Sequence, residues 1–283
     1  MLAELLMVIG QRLGKPPGYE RMFRMFWPPE KCREMQPRLM ALRGEPLFFA
    51  GPRTPLGWHI LFFGTYEPEL RSFLLSFLQP GYVAIDIGAN VGWHTLLVAM
   101  KVGGKGQVLA FEPNPSVRHV LVRHIGLNRL SQVCVLPYAL TDEDGTVKFV
   151  GPRADDPGSG DGFIVRNPGN GGSVIEVKAR TLDGLLPILD LERLDFVKMD
   201  IEGFAYRALV GMRVAIGKFR PVIALEFNAA YVHRCGASRE DIGKLLDDYS
   251  YQTFVIHRVG LAQCSYSSWP DCCDLVAVPN PSS

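Results

Sequence analysis

The stretch Val83-Ala84-Ile85-Asp86-Ile87-Gly88-Ala89-Asn90-Val91-Gly92 decides the fold, because a short apolar strand runs into a glycine turn and then into helical periodicity. Gly88 and Gly92 let the backbone approach a ligand closely, since glycine has no Cβ. The helix that follows, through Met100, offers free N–H groups at its start. Open α/β sheets bind ligands at the carboxyl ends of their strands, so the turn predicts a site for a nucleotide-like cofactor.

The pattern extends from residue 82 towards the carboxyl terminus, where short apolar runs alternate with segments of helical periodicity. Such alternation predicts a mostly parallel sheet with helices on both faces. Seven strands are expected, at residues 83–86, 108–112, 133–137, 196–200, 222–227, 253–256 and 275–278. The predicted fold class is therefore α/β and Rossmann-like.

The segment before this sheet carries no chemical motif. Residues 1–45 indicate one or two short helices interrupted by Pro16-Pro17 and Pro28-Pro29. Aromatic runs at residues 47–50 and 58–62 are expected to form a hairpin. We therefore divide the chain into an N-terminal helical cap with a hairpin, residues 1–63, and a cofactor-binding domain, residues 64–283.

Within the larger domain, residues 151–173 are rich in Gly, Pro, Asp and Asn. This composition predicts a flexible insertion loop, with a substrate-covering lid as the alternative. The loop is expected to join two strands at residues 147–150 and 174–178. A helix is expected to begin near residue 64 and to end at Phe77.

Composition narrows the classes of function. The chain has 283 residues, 47% of them apolar, which is enough for one large domain with a core. Its net charge of +1 predicts no general attraction to nucleic acid or to an acidic membrane, and favours a small-molecule partner. Six cysteines without CxxC spacing favour a reducing cytoplasm. The apolar residues 1–9 are too few to span a bilayer, so a packing role or a homodimer contact is expected.

Two acids follow neighbouring predicted strands. Asp86 stands at the strand end where a dinucleotide fingerprint would bring phosphate oxygens close, and a carboxylate there repels phosphate. It is suited instead to the ammonium group of an amino acid such as methionine. Glu112, in Phe111-Glu112-Pro113-Asn114, stands where α/β nucleotide sites hold a carboxylate for the ribose hydroxyls. Together the two acids predict S-adenosylmethionine rather than NAD.

A third strand, Phe196-Val197-Lys198-Met199-Asp200-Ile201-Glu202-Gly203, ends in two acids and carries a lysine among apolar residues. Because side chains alternate along a strand, Lys198 and Asp200 are expected to share one face and to form a pair at the mouth of the site. A purely structural ion pair is the alternative.

Five motifs occur in one order: Asp86-Ile-Gly-Ala-Asn-Val-Gly92, Phe111-Glu-Pro-Asn114, Tyr138-Ala-Leu140, Thr181-Leu-Asp183 and Lys198-Met-Asp-Ile-Glu-Gly203. Together, over about residues 64 to 257, they resemble the FkbM family of methyltransferases. The resemblance implies a class I methyltransferase fold, S-adenosylmethionine as methyl donor, and O-methylation of a small molecule such as a sugar or natural-product scaffold.

The resemblance also implies roles for individual residues. Asp86, Gly88, Asn90 and Gly92 are expected to hold the methionine end of the cofactor. Glu112 is expected to bind the ribose, and Tyr138 with Ala139 the adenine. Tyr66 and Glu67 resemble a Tyr-Glu element that closes over the cofactor.

An acceptor hydroxyl must lose its proton during methyl transfer, so the site needs a group that can take it. The titratable residues expected to reach the cleft are Lys198, Asp200, Glu202, Glu226, His94 and His233. We predict that Asp200 or Glu202, assisted by Lys198, is the catalytic acid–base group. The alternative of Mg²⁺ held by Asp200, Glu226 and Asn228 ranks below metal-free catalysis.

Two rival functions come from other classes. A non-catalytic subunit that binds S-adenosylmethionine or a partner would keep the cofactor pocket but not Lys198, Asp200 and Glu202. An NAD-dependent oxidoreductase is disfavoured by Asp86, which stands where phosphate would lie. Preferential binding of NAD would decide for that second rival.

Overall fold

The computed structural model describes residues 25, 36–41, 44–51, 54–151, 163–165 and 173–281. The helices expected around Pro16-Pro17 and Pro28-Pro29, and most of the insertion at residues 151–173, lie outside the described residues. The apolar residues 1–9 lie outside them as well.

In chain order the strands are β1 (Arg38–Met40), β2 (Phe48–Ala50), β3 (Val83–Ile87), β4 (Gln107–Phe111), β5 (Val133–Leu136), β6 (Ala139–Leu140), β7 (Gly145–Gly151), β8 (Phe163–Val165), β9 (Ser173–Arg180), β10 (Phe196–Met199), β11 (Val222–Asn228), β12 (Tyr251–His257), β13 (Gly260–Gln263) and β14 (Cys272–Pro279). The helices are α1 (Pro55–Phe63), α2 (Pro68–Phe77), α3 (Trp93–Val102), α4 (Pro115–Leu127), α5 (Leu182–Leu189), α6 (Ala205–Val210), α7 (Arg213–Phe219), α8 (Ala229–Arg234) and α9 (Arg239–Asp248).

The central sheet has the strand order β13-β12-β14-β11-β10-β3-β4-β5. Strands β11, β10, β3, β4 and β5 are parallel to one another, whereas β14 pairs antiparallel with β11 and β12, and β13 pairs antiparallel with β12. Two large hydrophobic clusters cover the sheet, one on each side. The predicted Rossmann-like fold with a mostly parallel sheet is confirmed.

This sheet has eight strands rather than the predicted seven. The additional strand is β13, which lies at the edge and pairs with β12. All four of its residues are exposed, so it lacks the alternation of apolar and polar positions that marks a half-buried strand.

A smaller sheet of order β6-β9-β7-β8 stands beside the central one. Strands β7 and β9 pair antiparallel over their lengths, for example Val147 with Val177. The predicted strand pair that flanks the insertion is therefore confirmed, with each strand longer than expected.

The expected strand at residues 58–62 is wrong, because these residues lie in helix α1. The Thr54 side chain caps the helix by accepting a hydrogen bond from the Gly57 N–H at 2.8 Å, and Pro55 fits its first turn. Gly64 ends it in the left-handed conformation. The hairpin is formed instead by β1 and β2. The aromatic content predicted a strand here. The segment forms a helix instead, and Thr54 and Gly64 cap its two ends.

Helix α1 packs into the body of the protein. Trp58 and Phe62 are fully buried and share one hydrophobic cluster with Leu96 of α3 and Phe196 of β10. The predicted boundary between residues 63 and 64 therefore does not separate two cores among the described residues. No helix within the described ranges is long and apolar enough to cross a membrane.

Candidate active site

A cavity of about 560 Å³ opens where β3, β4, β10 and β11 end. Small-molecule sites commonly measure about 300–1,000 Å³. The predicted site residues on its wall are Tyr66, Glu67, Gly88, Asn90, Glu112, Tyr138, Ala139, Lys198, Asp200 and Glu202. The parallel strands thus bring together residues that are more than a hundred positions apart in the chain.

The glycine turn is shaped by close packing against the neighbouring strand end. Gly88 has φ 78°, and a Cβ there would overlap the Asp200 carbonyl oxygen. Gly92 has φ 100°, caps α3 and does not line the cavity, and a Cβ there would lie 2.6 Å from Leu121. Both glycines are therefore required by the protein's own packing, and of the two only Gly88 lines the cavity.

Asp86 does not lie on the cavity wall, contrary to the prediction that it holds the methionine end. Its side chain is buried, and Oδ2 accepts a hydrogen bond of 2.6 Å from the Thr95 hydroxyl. Its Oδ1 lies 3.3 Å from Lys198 Nζ. Strand register explains the pair, because Asp86 and Lys198 are directly opposite each other on β3 and β10. Asp86 supports Lys198 from within the protein.

Glu112 follows β4 and turns towards the cavity. Its Oε2 accepts a hydrogen bond from the Asn90 N–H at 2.9 Å, and its Oε1 accepts one from the Asn114 N–H at 2.8 Å. Burial raises the pKa of Glu112 to about 7, although these two backbone donors act in the opposite direction. The two N–H groups fix the direction of the carboxyl group, and its remaining lone pairs are available to a ligand.

Lys198 lies at the floor of the cavity and contacts β3, the glycine turn and the residue that follows β10. Its Nζ lies 3.3 Å from Asp86 Oδ1 and 3.3 Å from Asp200 Oδ2, and it donates to the Gly88 carbonyl at 3.4 Å. Burial lowers the pKa of Lys198, but the two carboxylates outweigh burial and hold it above its ordinary value. Burial raises the pKa of Asp200, but Lys198 and Glu226 together with His94 outweigh burial, and the pKa lies below its usual range. The predicted Lys198–Asp200 pair is confirmed.

Further carboxyl groups surround this pair. Burial and the nearby Asp200 raise the pKa of Glu67 to about 8 and that of Glu226 to about 9. The same two causes raise the pKa of Asp274, just behind the cavity, to about 6. At neutral pH the Glu226 carboxyl is therefore protonated.

His94 lies on the cavity wall beside these acids. Its side chain is 5% exposed, and its Nε2 lies 3.5 Å from Glu67 Oε2 without forming a hydrogen bond. Burial and the Lys198 charge lower the pKa of His94 to about 3, so the ring is neutral. His233, which was expected to reach the cleft, is exposed on α8 and does not line the cavity.

Left-handed backbone conformations mark the same wall. Glu67, Asn90 and Glu202 have φ of 47°, 50° and 50°, a region that residues other than glycine seldom adopt. All three line the cavity. Such conformations cost free energy, and they are often retained where a side chain must face a site.

One of the proposed magnesium ligands, Asn228, is engaged in a helix cap. The Asn228 side chain accepts a hydrogen bond from the Tyr231 N–H at 3.2 Å and caps α8. Among the described residues no group of three or more His, Cys, Asp or Glu side chains could hold a metal ion. The magnesium alternative therefore finds no support in the geometry.

Sequence reasoning missed one wall of the cavity, which β2 and α4 provide. Phe48 and Phe49 line it, and the Phe49 N–H donates to His124 Nε2 at 3.1 Å. The opposite ring nitrogen, Nδ1, then donates to the Val91 carbonyl at 2.7 Å. The buried, neutral His124 ring thus fastens β2 to the glycine turn. No local pattern could reveal a contact between residues 75 positions apart.

In comparison with protein families, residues 86–253 match the family described as "Methyltransferase FkbM domain". This range covers more than half of the chain and includes Asp86, Glu112, Lys198 and Asp200.

Two curated proteins are similar to part of the chain. The methyltransferase sdnD of Sordaria araneosa is 30% identical over 154 residues, which are 45% of this chain and 59% of that protein. The AMB antimetabolite synthetase AmbE of Pseudomonas aeruginosa is 27% identical over 179 residues, 52% of this chain and 8% of that protein. The chain thus matches less than two thirds of the length of either relative.

Among solved structures, the methyltransferase FkbM of Methylobacillus flagellatus KT is similar with a TM-score of 0.47 and 20% identity. The similarity covers 96% of this chain and 58% of that one. The O-methyltransferase of Bacillus cereus, solved with SAH, has a TM-score of 0.44 and 15% identity over 76% of this chain and 83% of its own.

Proposed function

The chain belongs to the FkbM family of methyltransferases, and from that premise we propose that it transfers a methyl group from S-adenosylmethionine to a hydroxyl oxygen of a small molecule. The observation that carries the proposal is one cavity with two differently built ends. At one end Glu112 is aimed by two backbone N–H groups, and at the other the Lys198–Asp200 pair stands beside the glycine turn.

The residues at the Glu112 end fit the adenosine part of the donor. Glu112 has lone pairs left for the two ribose hydroxyls after accepting from Asn90 and Asn114. Apolar and aromatic side chains suited to a purine ring line the cavity beside it, namely Phe111, Val117, Tyr138, Ala139, Leu140 and Phe149. The cavity, at about 560 Å³, has room for both a donor and a small acceptor group.

The methionine end of the donor belongs beside Gly88 and Asn90, which line the cavity between Glu112 and Asp200. Asp86 is buried behind Lys198, so it is not available to the donor's ammonium group. Asp200 is the carboxylate at this position, with a side chain that is 33% exposed and ionised at neutral pH. We assign the ammonium contact to Asp200 rather than to Asp86.

When bound, S-adenosylmethionine supplies a methyl group that is already activated as a sulfonium. The protein's task is then to hold the acceptor oxygen in line and to take up its proton. Asp200 is kept ionised by Lys198 and can accept a hydrogen bond from the acceptor hydroxyl. Glu202 lies on the same wall and remains the second group in reach.

A titration tests the donor assignment without knowledge of the acceptor. Purified protein is titrated calorimetrically with S-adenosylhomocysteine and, separately, with NAD. We expect binding of the former alone. The matched variants are Glu112→Gln in the cavity and Glu240→Gln on the exposed face of α9. Binding of NAD in preference, or equal affinity of both variants for S-adenosylhomocysteine, would contradict the assignment.

A reducing, cytoplasmic setting is part of the same proposal. The described cysteines Cys134, Cys235, Cys264, Cys272 and Cys273 are free thiols. A chain that works in an oxidising compartment commonly uses such residues in disulfides. Fractionation of the producing cells followed by immunodetection checks the setting.

A further inference from the structure

The end of the cavity where the acceptor belongs carries an excess of carboxyl groups. Glu67, Asp200 and Glu226 line the cavity, and Asp274 lines a small crevice directly behind them. Lys198 supplies the one ammonium group among the described residues that line the cavity and the crevice, and it is also paired with Asp86. The repulsion among these carboxyls is relieved in the free protein by protons on Glu67 and Glu226.

A second observation at this end concerns His94. Its ring is nine-tenths buried, lines the cavity and has no hydrogen-bond partner at Nε2. A buried polar atom without a partner costs free energy, so it marks a position where a ligand supplies the missing contact. Because the ring is neutral, a lone pair on it can accept from an N–H or O–H group of a ligand.

The charged side chains on the cavity wall limit the chemical class of the ligand group that His94 contacts. A metal ion is disfavoured, because among the described residues no three His, Cys, Asp or Glu side chains are placed to hold one. An anion is disfavoured by the carboxyls themselves. Of the described basic residues on the wall, Lys198 is held by two carboxylates and Arg123 lies over the Phe49 ring on the β2 side. The donor's sulfonium carries no hydrogen and cannot satisfy His94.

We propose that the acceptor carries a protonated amine beside the hydroxyl that is methylated, and that Glu67, Glu226 and His94 bind this ammonium group. This inference rests on the proposed function and names the substrate class for the same site. An ammonium group has three N–H donors, which suit two carboxylates and one neutral imidazole. Its charge replaces the protons that the free site carries, so binding releases protons.

Three probes of one size test the substrate class: trans-2-aminocyclohexanol, trans-1,2-cyclohexanediol and trans-2-hydroxycyclohexanecarboxylate. They present a cation, a neutral hydroxyl and an anion at the same position next to a hydroxyl. Each is titrated into protein saturated with S-adenosylhomocysteine at pH 7. We expect the aminoalcohol to bind at least tenfold more tightly than the diol, and the carboxylate to bind most weakly.

Two variants test whether Glu226 and Glu67 cause the preference for the aminoalcohol over the diol. Glu226→Gln keeps the shape of the protonated side chain but cannot ionise, so the affinity ratio of aminoalcohol to diol should fall to near one. Glu67→Gln should lower the ratio in the same direction. Glu240→Gln, an exposed acid on α9, should leave the ratio unchanged. A ratio that stays at ten or more in Glu226→Gln overturns the assignment of the ammonium site.

Proton release gives an independent readout. The groups that face Glu226 are Lys198, Asp200, Glu202, Glu67, His94, Asp274 and Cys272. Because Glu226 and Glu67 are protonated at pH 7 in the free protein, titrations in two buffers of different ionisation enthalpy should show protons released with the aminoalcohol and none with the diol. Equal release with both probes contradicts the proposal.

The failure of this inference is distinguishable from failure of the proposed function. If S-adenosylhomocysteine binds but the aminoalcohol shows no preference, or no probe binds at 10 mM, the amine-bearing acceptor is wrong and the donor assignment stands. If S-adenosylhomocysteine itself does not bind, the proposed function is wrong.

Discussion

Asp86 and Glu112 stand at the ends of neighbouring parallel strands and look equivalent in sequence, but they have opposite surroundings. Asp86 is inside β3, opposite Lys198, and is held by a lysine and a threonine. Glu112 lies one residue beyond β4, faces the cavity and is held by two backbone N–H groups. Asp86 therefore positions Lys198 at the floor of the cavity, whereas Glu112 is available to a ligand.

The difference comes from a shift of two residues along the strands, because Asp86 precedes the last residue of β3 and Glu112 follows the last residue of β4. The last pair between β3 and β4 is Ile87 with Phe111, so Glu112 lies level with Gly88 and not with Asp86. Because side chains two positions apart on a strand face the same side, the two acids differ in depth: Asp86 lies within the paired part of the strands, and Glu112 lies beyond the last pair. Four expected outcomes sharpen or break this comparison.

The largest effect is expected from Lys198→Met. Removing the ammonium leaves Asp86 buried without a counterion, and breaking a buried ion pair in this way costs about 3–5 kcal/mol of unfolding free energy. Urea unfolding followed by circular dichroism measures the loss. Lys244→Met, at an exposed position on α9, is the control and should change stability little. A loss below about 1 kcal/mol for Lys198→Met would mean that the pair does not organise the floor.

Asp86→Asn should reduce stability by about 1–3 kcal/mol, because one charged hydrogen-bond partner of Lys198 and Thr95 is replaced by a neutral amide. The affinity for S-adenosylhomocysteine should stay within about twofold, a change of less than 0.5 kcal/mol, since the side chain does not line the cavity. Calorimetry and urea unfolding give the two values. Weakened binding with unchanged stability would restore the direct role predicted from the sequence.

Glu112→Gln should show the reverse pattern. The amide cannot accept from both backbone N–H groups and two ribose hydroxyls, so affinity for S-adenosylhomocysteine should fall about tenfold, or about 1.4 kcal/mol. The same calorimetric titration measures it, with Glu240→Gln as the matched surface variant. If Glu112→Gln and Asp86→Asn lose equal affinity, the comparison between the two acids fails.

The smallest effect concerns pH. The pKa of Glu112 is about 7 in the folded protein and 4.5 as its ordinary value, so the folded state holds this proton more tightly and the ionised group costs stability as pH rises from about 4.5 through 7. The ionised form is the better acceptor for ribose hydroxyls. Affinity for S-adenosylhomocysteine should therefore rise between pH 6 and pH 8, by at most about tenfold.

The Glu112→Gln variant should remove most of that rise. Titrations of the wild type and of the variant at both pH values supply the comparison. A rise of the same size in the variant would assign the pH dependence to another group on the wall.

The strands and the glycine turn could be predicted because each depends on a local pattern: apolar runs for β3, β4, β10 and β11, and a glycine at a backbone conformation that other residues avoid. The Lys198–Asp200 pair followed from the alternation of side chains within one strand. These predictions needed no knowledge of which elements are neighbours.

The remainder depends on contacts across the chain. The Asp86 side chain lies beside Lys198 because the two residues are paired on neighbouring strands. That strand register cannot be read from the sequence. The β2 wall is held to the site by His124 and Asn128 through bonds to backbone groups of Phe49 and Leu47. Helix α1 replaced an expected strand because its capping residues outweighed its aromatic content. In the first two cases, contacts between residues distant in the sequence determine the structure.

The measurement that tests the central claim most directly is a crystal structure of the protein with S-adenosylhomocysteine. We expect both ribose hydroxyls within hydrogen-bond distance of the Glu112 carboxyl, the methionine ammonium beside Asp200, and no contact to Asp86. A ligand whose ammonium group binds Asp86, or whose ribose lies away from Glu112, would contradict it.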